Sequence, residues 1–364
     1  MFAPLGWLVA SAAPCRALRT ALAAGAALSL AIELAQIPIP GRDASLGDIL
    51  FNAAGALAGA GAWWFWARSR MRAGTRAGIA LAVAYGVLAG GATLLRSDAP
   101  DTRWWGQWAP ALGHLRAYPG EVLSAAVGGE PIPGGGELRR VDAVRALLRR
   151  HAPLEAVATG APPAPGVAPI VSIYDEHQRE VVLLGVDGED VVWRFRTLGA
   201  ALRFHAGLLR FAGAGAGFGP ADTLRLEVAP SEPGRTWGDG ACLRVDGVPA
   251  GCARWTPGST WSLLLPVTGP LGGAFELLWI GTLFLPAGFL AARAGRGATL
   301  LASAAAALAV LAVPAFTPVG AARLPELAAA AAGAWLPGTR RLARKVAGRR
   351  GQATPVAPGP PRPR

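Results

Sequence analysis

Long apolar runs occupy both ends of the chain and are joined by short polar connections, a pattern that predicts membrane-spanning helices. A helix needs about 20 apolar residues to cross a bilayer. Five segments reach that length, and an Ala-rich sixth is shorter. They are 17–37, 47–67, 77–95, 271–292 and 297–315, followed by the shorter 321–337. The opening run 2–14 is short for a span, and it predicts either a partial helix or a chain that begins further upstream.

Arginine residues follow these segments in a way that predicts their orientation. If the spans cross alternately, the arginine-rich connections all fall on one side, which the positive-inside rule makes the cytoplasm. The loop 38–46 and the long segment 97–270 then face outward. The arginine-rich stretches are 16–19, 68–76, 293–296 and 340–350.

The outward segment changes its pattern part of the way along. Residues 97–165 are predicted to be irregular, apart from an amphipathic basic helix over 138–151 that lies on the membrane surface or packs on the neighbouring domain. Beyond the Pro-rich run 160–169, short β-branched and aromatic runs predict the strands of a sandwich or jelly roll. Those runs are PIVSIYD, REVVLLGVDG, EDVVWRFRT, TLRLEVAP, ACLRVDGV and WSLLLPV.

The predicted fold is therefore a polytopic α-helical membrane bundle with an inserted extracytoplasmic all-β sandwich. Its expected divisions are a helical unit over 1–96, a connector over 97–165, the sandwich over 166–269, C-terminal helices over 270–338 and a basic disordered cytoplasmic tail over 339–364. Trp104, Trp105 and Trp108 are expected either at the membrane interface or packed within the outer domain.

Composition supports a membrane protein and argues against nucleic-acid binding. Hydrophobic residues form 52% of the 364 residues, and the mean hydropathy is +0.36. The net charge of +12 comes from residues that flank apolar segments, so we attribute it to membrane topology rather than to a nucleic-acid partner. No P-loop, G-x-S-x-G, H-E-x-x-H or Cys/His metal pattern occurs in the sequence, so no cofactor or metal is predicted.

Two of the three cysteines flank a predicted hairpin. Cys242 and Cys252 enclose LRVDGVPAG, in which Asp246-Gly247 is a turn signal. A disulfide is predicted there because the outer compartment is oxidising, and two buried thiols are the alternative. Closing such a loop stabilises a fold by about 2–3 kcal/mol.

The candidate site is a group of polar residues at the turn between the first two long spans. Glu33 and Gln36 share one helix face, while Asp48 and Asn52 share a face of the next helix. A tight hairpin would bring them together with Arg42, which is placed to bridge the carboxylates or to meet a phosphate. Buried polar groups are costly in a bilayer, so these five residues are predicted to bind a ligand.

Structural roles for the same residues remain open. Ser45-x-x-Asp48 is a capping box, so Asp48 would satisfy amides at a helix start. Asn52 and Gln36 would form interhelical hydrogen bonds. Glu33 would then form an ion pair with Arg42.

This pattern resembles the VanZ-like family over about residues 1–95. The resemblance lies in S-x-x-x-E-x-x-Q, a proline-bearing turn with G-R, and S-L-x-D-I-x-x-N-x-x-G. In this sequence the residues are Ser29, Glu33, Gln36, Gly41, Arg42, Ser45, Leu46, Asp48, Ile49, Asn52 and Gly55. The family comprises small multi-helix membrane proteins, and its namesake is associated with resistance to the glycopeptide teicoplanin. The resemblance implies a bacterial inner-membrane protein of the cell envelope and implies no reaction.

The segment 169–197 also resembles, over a shorter stretch, the start of a laminin-G or concanavalin-A-like sandwich. That resemblance implies binding of glycans or proteins. No set of calcium ligands stands out, and Asp175, Asp187 and Asp190 are interpreted as solvated turn residues.

Three functional hypotheses follow. The first is an envelope protein that binds a lipid, glycan or glycopeptide-type ligand through the polar hairpin and the sandwich. The second is a membrane enzyme in which Glu33 and Asp48 act as acid and base and Arg42 holds a phosphate. The third is a transporter or sensor in which the carboxylates relay protons. The predicted partners are the lipid bilayer and an envelope lipid or glycan, and the sequence does not determine the oligomeric state.

Overall fold

The computed structural model describes most of the chain and divides it into two compact units, Met1–Arg72 and Ala73–Arg364. The described residues are 2–36, 46–110, 115–160, 162–163, 166–202, 204–205, 207–216, 218–219, 222–231, 237, 239–264 and 271–350.

The first unit is a small helical bundle. Its helices are α1 (Ala3–Ala12), α2 (Ala17–Gln36) and α3 (Leu46–Arg68), with a 3-10 turn over Pro14–Arg16. Glycines allow α1 to lie directly on α3: a Cβ at Gly6 would lie 1.8 Å from the carbonyl oxygen of Ala56, and one at Gly59 would lie 1.8 Å from that of Ala3. Such close backbone approach is how small residues pack membrane helices.

The second unit begins with α4 (Ala73–Leu94), which leads into two six-stranded antiparallel sheets. The first sheet has the order β4-β1-β6-β7-β8-β9 and the second β12-β11-β10-β5-β2-β3. The strands are β1 Trp104–Trp108, β2 Val122–Val127, β3 Glu130–Pro131, β4 Gly135–Glu137, β5 Leu154–Thr159, β6 Ala168–Asp175, β7 Glu180–Asp187, β8 Asp190–Phe195, β9 Leu208–Phe211, β10 Thr223–Pro230, β11 Ala241–Val245 and β12 Val248–Ala253.

Large side chains from both sheets form the core of the sandwich. Trp104, Ile173 and Trp193 of the first sheet and Leu154 and Val228 of the second have no exposed surface. Two helices complete this region, α5 (Val141–Arg149) and α6 (Leu198–Ala201). The amphipathic helix expected over 138–151 thus forms as α5, and its Val144 and Leu148 are buried within the domain.

Three further helices follow the sandwich and pack with α4. They are α7 (Gly272–Ala294), α8 (Arg296–Phe316) and α9 (Leu324–Arg350). Among the described residues, four helices are long and apolar enough to cross a membrane: Pro14–Ala35, Ala73–Leu94, Gly272–Ala294 and Arg296–Phe316. The span expected over 47–67 is helical as α3, but it is not one of these four, because Asn52 and its glycines and tryptophans lower its mean hydropathy.

Three segments differ from the expectation. Residues 97–165 contribute strands β1 to β5 to the two sheets rather than an irregular connector. The run WSLLLPV is not a strand over its described part, because Trp261–Leu263 belong to a buried 3-10 helix, Pro257–Leu263. Residues 339–350 continue α9 instead of being disordered, and 351–364 lie outside the described residues.

Candidate functional site

The polar hairpin brings part of the predicted site together between α2 and α3. Asn52 Nδ2 donates a hydrogen bond to Ser29 Oγ at 3.0 Å, and Ser29 Oγ lies 3.5 Å from the carbonyl oxygen of Asp48. Ser29 is fully buried and Glu33, one turn further along α2, is 5% exposed. The Ser29–Asn52 contact is the interhelical hydrogen bond that the structural alternative predicts for Asn52.

Only some of the remaining hairpin side chains belong to the described part of the chain. The side chain of Asp48 is exposed, in contrast to Glu33, and neither carboxylate is without a partner. Gln36 is the last residue of α2, and its side chain lies outside the described set. Arg42 lies in the segment 37–45, which is also outside the described residues. Ligand binding by these five residues, and the acid–base role for Glu33 and Asp48, therefore stay predictions.

A cleft of about 760 Å³ lies on the outer face of the first sheet, and it is called the Trp105 cleft here. Trp105 lies directly opposite Tyr174 on the neighbouring strand, and Gln107 lies opposite Ser172. Directly opposed residues project from the same face of a sheet, so Trp105, Tyr174 and Gln107 line one wall together. The other lining side chains include Leu115, Glu176, Gln178, Arg179, Glu180, Arg194, Arg196 and Phe204.

The cleft combines aromatic surface with fixed polar groups. Arg194 donates two hydrogen bonds to Glu180, at 2.6 and 2.7 Å, which holds both side chains in place. Gln107 Oε1 is enclosed and accepts no hydrogen bond from the described residues. Burial raises the pKa of Tyr174, so its hydroxyl keeps its proton and remains a donor. An apolar wall with a few oriented polar groups is typical of a binding pocket.

The turn aspartates are more enclosed than their interpretation as solvated residues suggested. Asp175 is 3% exposed, and its Oδ2 accepts a hydrogen bond from Arg196 at 2.8 Å. Asp190 pairs with Arg210 at 2.7 Å. Burial raises the pKa of Asp190, but the hydrogen bonds from Gly213 and Arg210 outweigh burial and hold that pKa below its usual value. These carboxylates form ion pairs and accept hydrogen bonds within turns. The interpretation as a solvated turn residue is therefore wrong for Asp175, which is buried.

A second polar cluster, called the anchor cluster, lies where the 3-10 helix meets α7 and α9. Ser259 donates to Glu276 Oε1 at 2.8 Å, Thr256 donates to Glu326 Oε1, and the Arg323 backbone donates to Glu326 Oε2 at 3.0 Å. Glu326 is 1% exposed. The sequence analysis missed this cluster, although a glutamate inside a predicted apolar span is a recognised signal of a polar contact.

The predicted disulfide is confirmed. Cys242 and Cys252 are bonded across β11 and β12, where they are directly paired in the ladder. Cys15, in the 3-10 turn before α2, is a free and exposed cysteine.

The fold defines a polytopic helical membrane protein with a β-sandwich in its second unit. Residues 1–67 match the family model described as VanZ/LLP1, which confirms the resemblance found in the hairpin motif. The match ends within α3 and does not extend to α4, the sandwich or the C-terminal helices. No curated protein and no solved structure matches the chain, so the likeness of the sandwich to laminin-G or concanavalin-A-like folds stays a prediction.

Proposed function

We propose that this membrane protein belongs to the bacterial cell envelope and binds a saccharide-bearing envelope ligand, free, lipid-linked or of glycopeptide type. The observation that carries the proposal is the Trp105 cleft. Pyranose rings pack their C–H faces on aromatic side chains, and Trp105 and Tyr174 provide two adjacent rings. Sugar hydroxyl groups both donate and accept hydrogen bonds, which matches Gln107, Glu180 and Arg194 on the same face.

The arginine pattern of the sequence supports an outward position for the sandwich. On that side of the inner membrane the available saccharides include cell-wall intermediates and glycopeptides. The family motif in the hairpin fits the same location, because the resemblance to the VanZ-like family implies a protein of the cell envelope.

We expect Trp105→Ala to weaken saccharide binding by tenfold or more, which corresponds to about 1.4 kcal/mol. The variant removes the ring that faces the cleft, while Trp104, its inward neighbour, keeps the core intact. The measurement is calorimetric titration of the full-length protein in detergent with a soluble disaccharide-peptide fragment of peptidoglycan and, separately, with teicoplanin.

Three further variants accompany that titration: a second change in the cleft and two controls. Trp105→Phe keeps an aromatic face and is expected to retain most of the affinity. Arg179→Ala removes a guanidinium from the cleft and is the second test. Its control is Arg244→Ala, which removes an exposed guanidinium from β11 in the second sheet. Equal affinity of the wild type, Trp105→Ala and Arg179→Ala, or no binding of either probe by the wild type, would refute recognition at the cleft.

The polar hairpin is proposed as a separate binding site for the lipid or phosphate part of an envelope ligand. Buried Glu33 supports this, since a carboxylate that is 5% exposed is costly to keep for packing alone. Arg42 would supply the positive charge that an anionic ligand needs.

We expect Glu33→Ala and Arg42→Ala to reduce binding of lipid-linked peptidoglycan precursor about tenfold without changing binding of the soluble fragment. Asn52→Ala is the structural comparison, because it removes the hydrogen bond to Ser29 and should lower thermal stability by about 1 kcal/mol. Both probes can be measured on the same purified preparations. Unchanged lipid binding in Glu33→Ala and Arg42→Ala would leave the hairpin as a structural lock.

A further inference from the structure

A second cavity, of about 450 Å³, lies at the end of the sandwich next to the exit from α4, and is called the Arg96 cavity here. Its polar lining comes from Arg96, Asp98, Arg149, His151, Arg196 and Trp237. Its apolar lining comes from Leu148, Val181, Val182, Phe195 and Leu198. Arg196 also lines the Trp105 cleft, and the other residues of the two cavities differ.

The cavity has a fixed position relative to the membrane-crossing part of α4. That helix is a candidate span and ends at Leu94, two residues before Arg96. The chain beyond it is tied to the first sheet, because Leu198 donates its backbone N–H to Arg96 at 2.9 Å and Asp98 donates to Arg196 at 2.8 Å. Lipid phosphates lie just outside the apolar core of a bilayer, so the cavity lies near their level.

Of the three guanidinium groups that line the cavity, two are held in ion pairs with described residues and one is not. Arg196 pairs with Asp98 at 3.1 Å and with Asp175 at 2.8 Å, and Arg149 pairs with Asp101 at 2.8 Å. Arg96 forms no ion pair within the part of the chain that the structure describes. Three guanidinium groups and one carboxylate line the cavity, which disfavours a cationic ligand.

Two nitrogen atoms of the lining residues also lack partners. Trp237 is 2% exposed, and its indole N–H donates to no described residue. His151 Nδ1 is likewise enclosed and without a hydrogen bond, and its ring contacts that of Trp237 with 6.2 Å between centroids. Burial lowers the pKa of His151, and Arg96 lowers it further against the effect of Asp239, so the ring is neutral and offers one N–H. A buried donor without an acceptor is destabilising, and a bound anion would supply the missing acceptor.

We propose that the Arg96 cavity binds a phosphate group, as a monoester or diester. Arg96 provides the charge and a forked set of donors, and the Trp237 indole and His151 ring provide neutral donors at the buried end. The apolar wall would hold the carbon skeleton next to the phosphate. The group belongs either to an anionic lipid whose chains remain in the bilayer or to a soluble phosphate ester.

The test uses full-length protein in phosphatidylcholine nanodiscs and two arms that separate these sources. One arm titrates glycerol 3-phosphate, and the other titrates a short-chain phosphatidylglycerol, both followed by calorimetry. A lipid source predicts saturable binding of phosphatidylglycerol that is at least tenfold tighter than glycerol 3-phosphate. A soluble source predicts binding of glycerol 3-phosphate with little gain from the acyl chains.

Matched variants locate the binding. Arg96→Gln removes an exposed charge, and Trp237→Phe removes the N–H while it keeps an aromatic ring; each is expected to weaken binding about tenfold. The control for Arg96→Gln is Arg150→Gln, because Arg150 is exposed and does not line the cavity. The control for Trp237→Phe is Trp193→Phe, because the Trp193 indole also lacks a partner and its ring centroid lies 5.0 Å from that of Trp237. Both controls should bind like the wild type. The proposal is overturned if neither ligand binds the wild type or if all four variants bind equally.

Discussion

Gly59→Val is expected to destabilise the first unit by about 3 kcal/mol, because the new side chain has no room against α1. A Cβ at this position would lie 1.8 Å from the carbonyl oxygen of Ala3, and a backbone atom cannot turn away as a flexible side chain can. The helices would have to separate, with loss of the contact at Gly6 as well. Titration of the purified protein with sodium dodecyl sulfate, followed by circular dichroism, measures the loss.

Gly61→Val is the matched control on the same helix. A Cβ at Gly61 would meet nothing within 4 Å, so the helix carries the same substitution without a collision. If both variants unfold at the same detergent fraction, the close packing of α1 on α3 does not hold the unit together.

Glu326→Ala is expected to cost about 3 kcal/mol in the second unit, since two donors lose a buried acceptor at once. The carboxylate accepts from the Thr256 hydroxyl and from the Arg323 backbone, and it is 1% exposed. We expect a lower melting temperature for the full-length protein, measured by differential scanning fluorimetry in detergent.

Two comparisons isolate the role of Glu326. Glu326→Gln keeps an acceptor oxygen and should recover part of the lost stability. Glu189→Ala removes an exposed carboxylate from the turn between β7 and β8 and should change the melting temperature little. A wild-type melting temperature in Glu326→Ala would show that the anchor cluster does not stabilise the joint between the sandwich and the helices.

The sequence predicted those features that depend on neighbouring residues. The apolar spans, the strands of residues 169–197, the hairpin at Asp246-Gly247 and the disulfide all follow from local pattern. An interhelical hydrogen bond of Asn52 was one of the two alternatives, but the sequence did not identify Ser29 as its partner.

Other features depend on residues that are far apart or on strands with little local signal. Thr256 and Glu326 are 70 positions apart, so no spacing rule joins them. Strands β2 and β5 each contain two alanines and only two β-branched residues, and β4 contains two glycines, so their sequences give a weak strand signal. The Trp105 cleft was not predicted either, because it forms only when β1 pairs with β6, about 70 residues later in the chain.

Thr260 links the 3-10 helix that follows the sandwich to two of the long helices. Its Oγ1 accepts from the Trp279 indole of α7 at 2.9 Å, and its side chain fills the space beside Gly91 of α4, where a Cβ would lie 3.0 Å away. A force applied to the sandwich would therefore be transmitted to α4 and α7 through this one side chain.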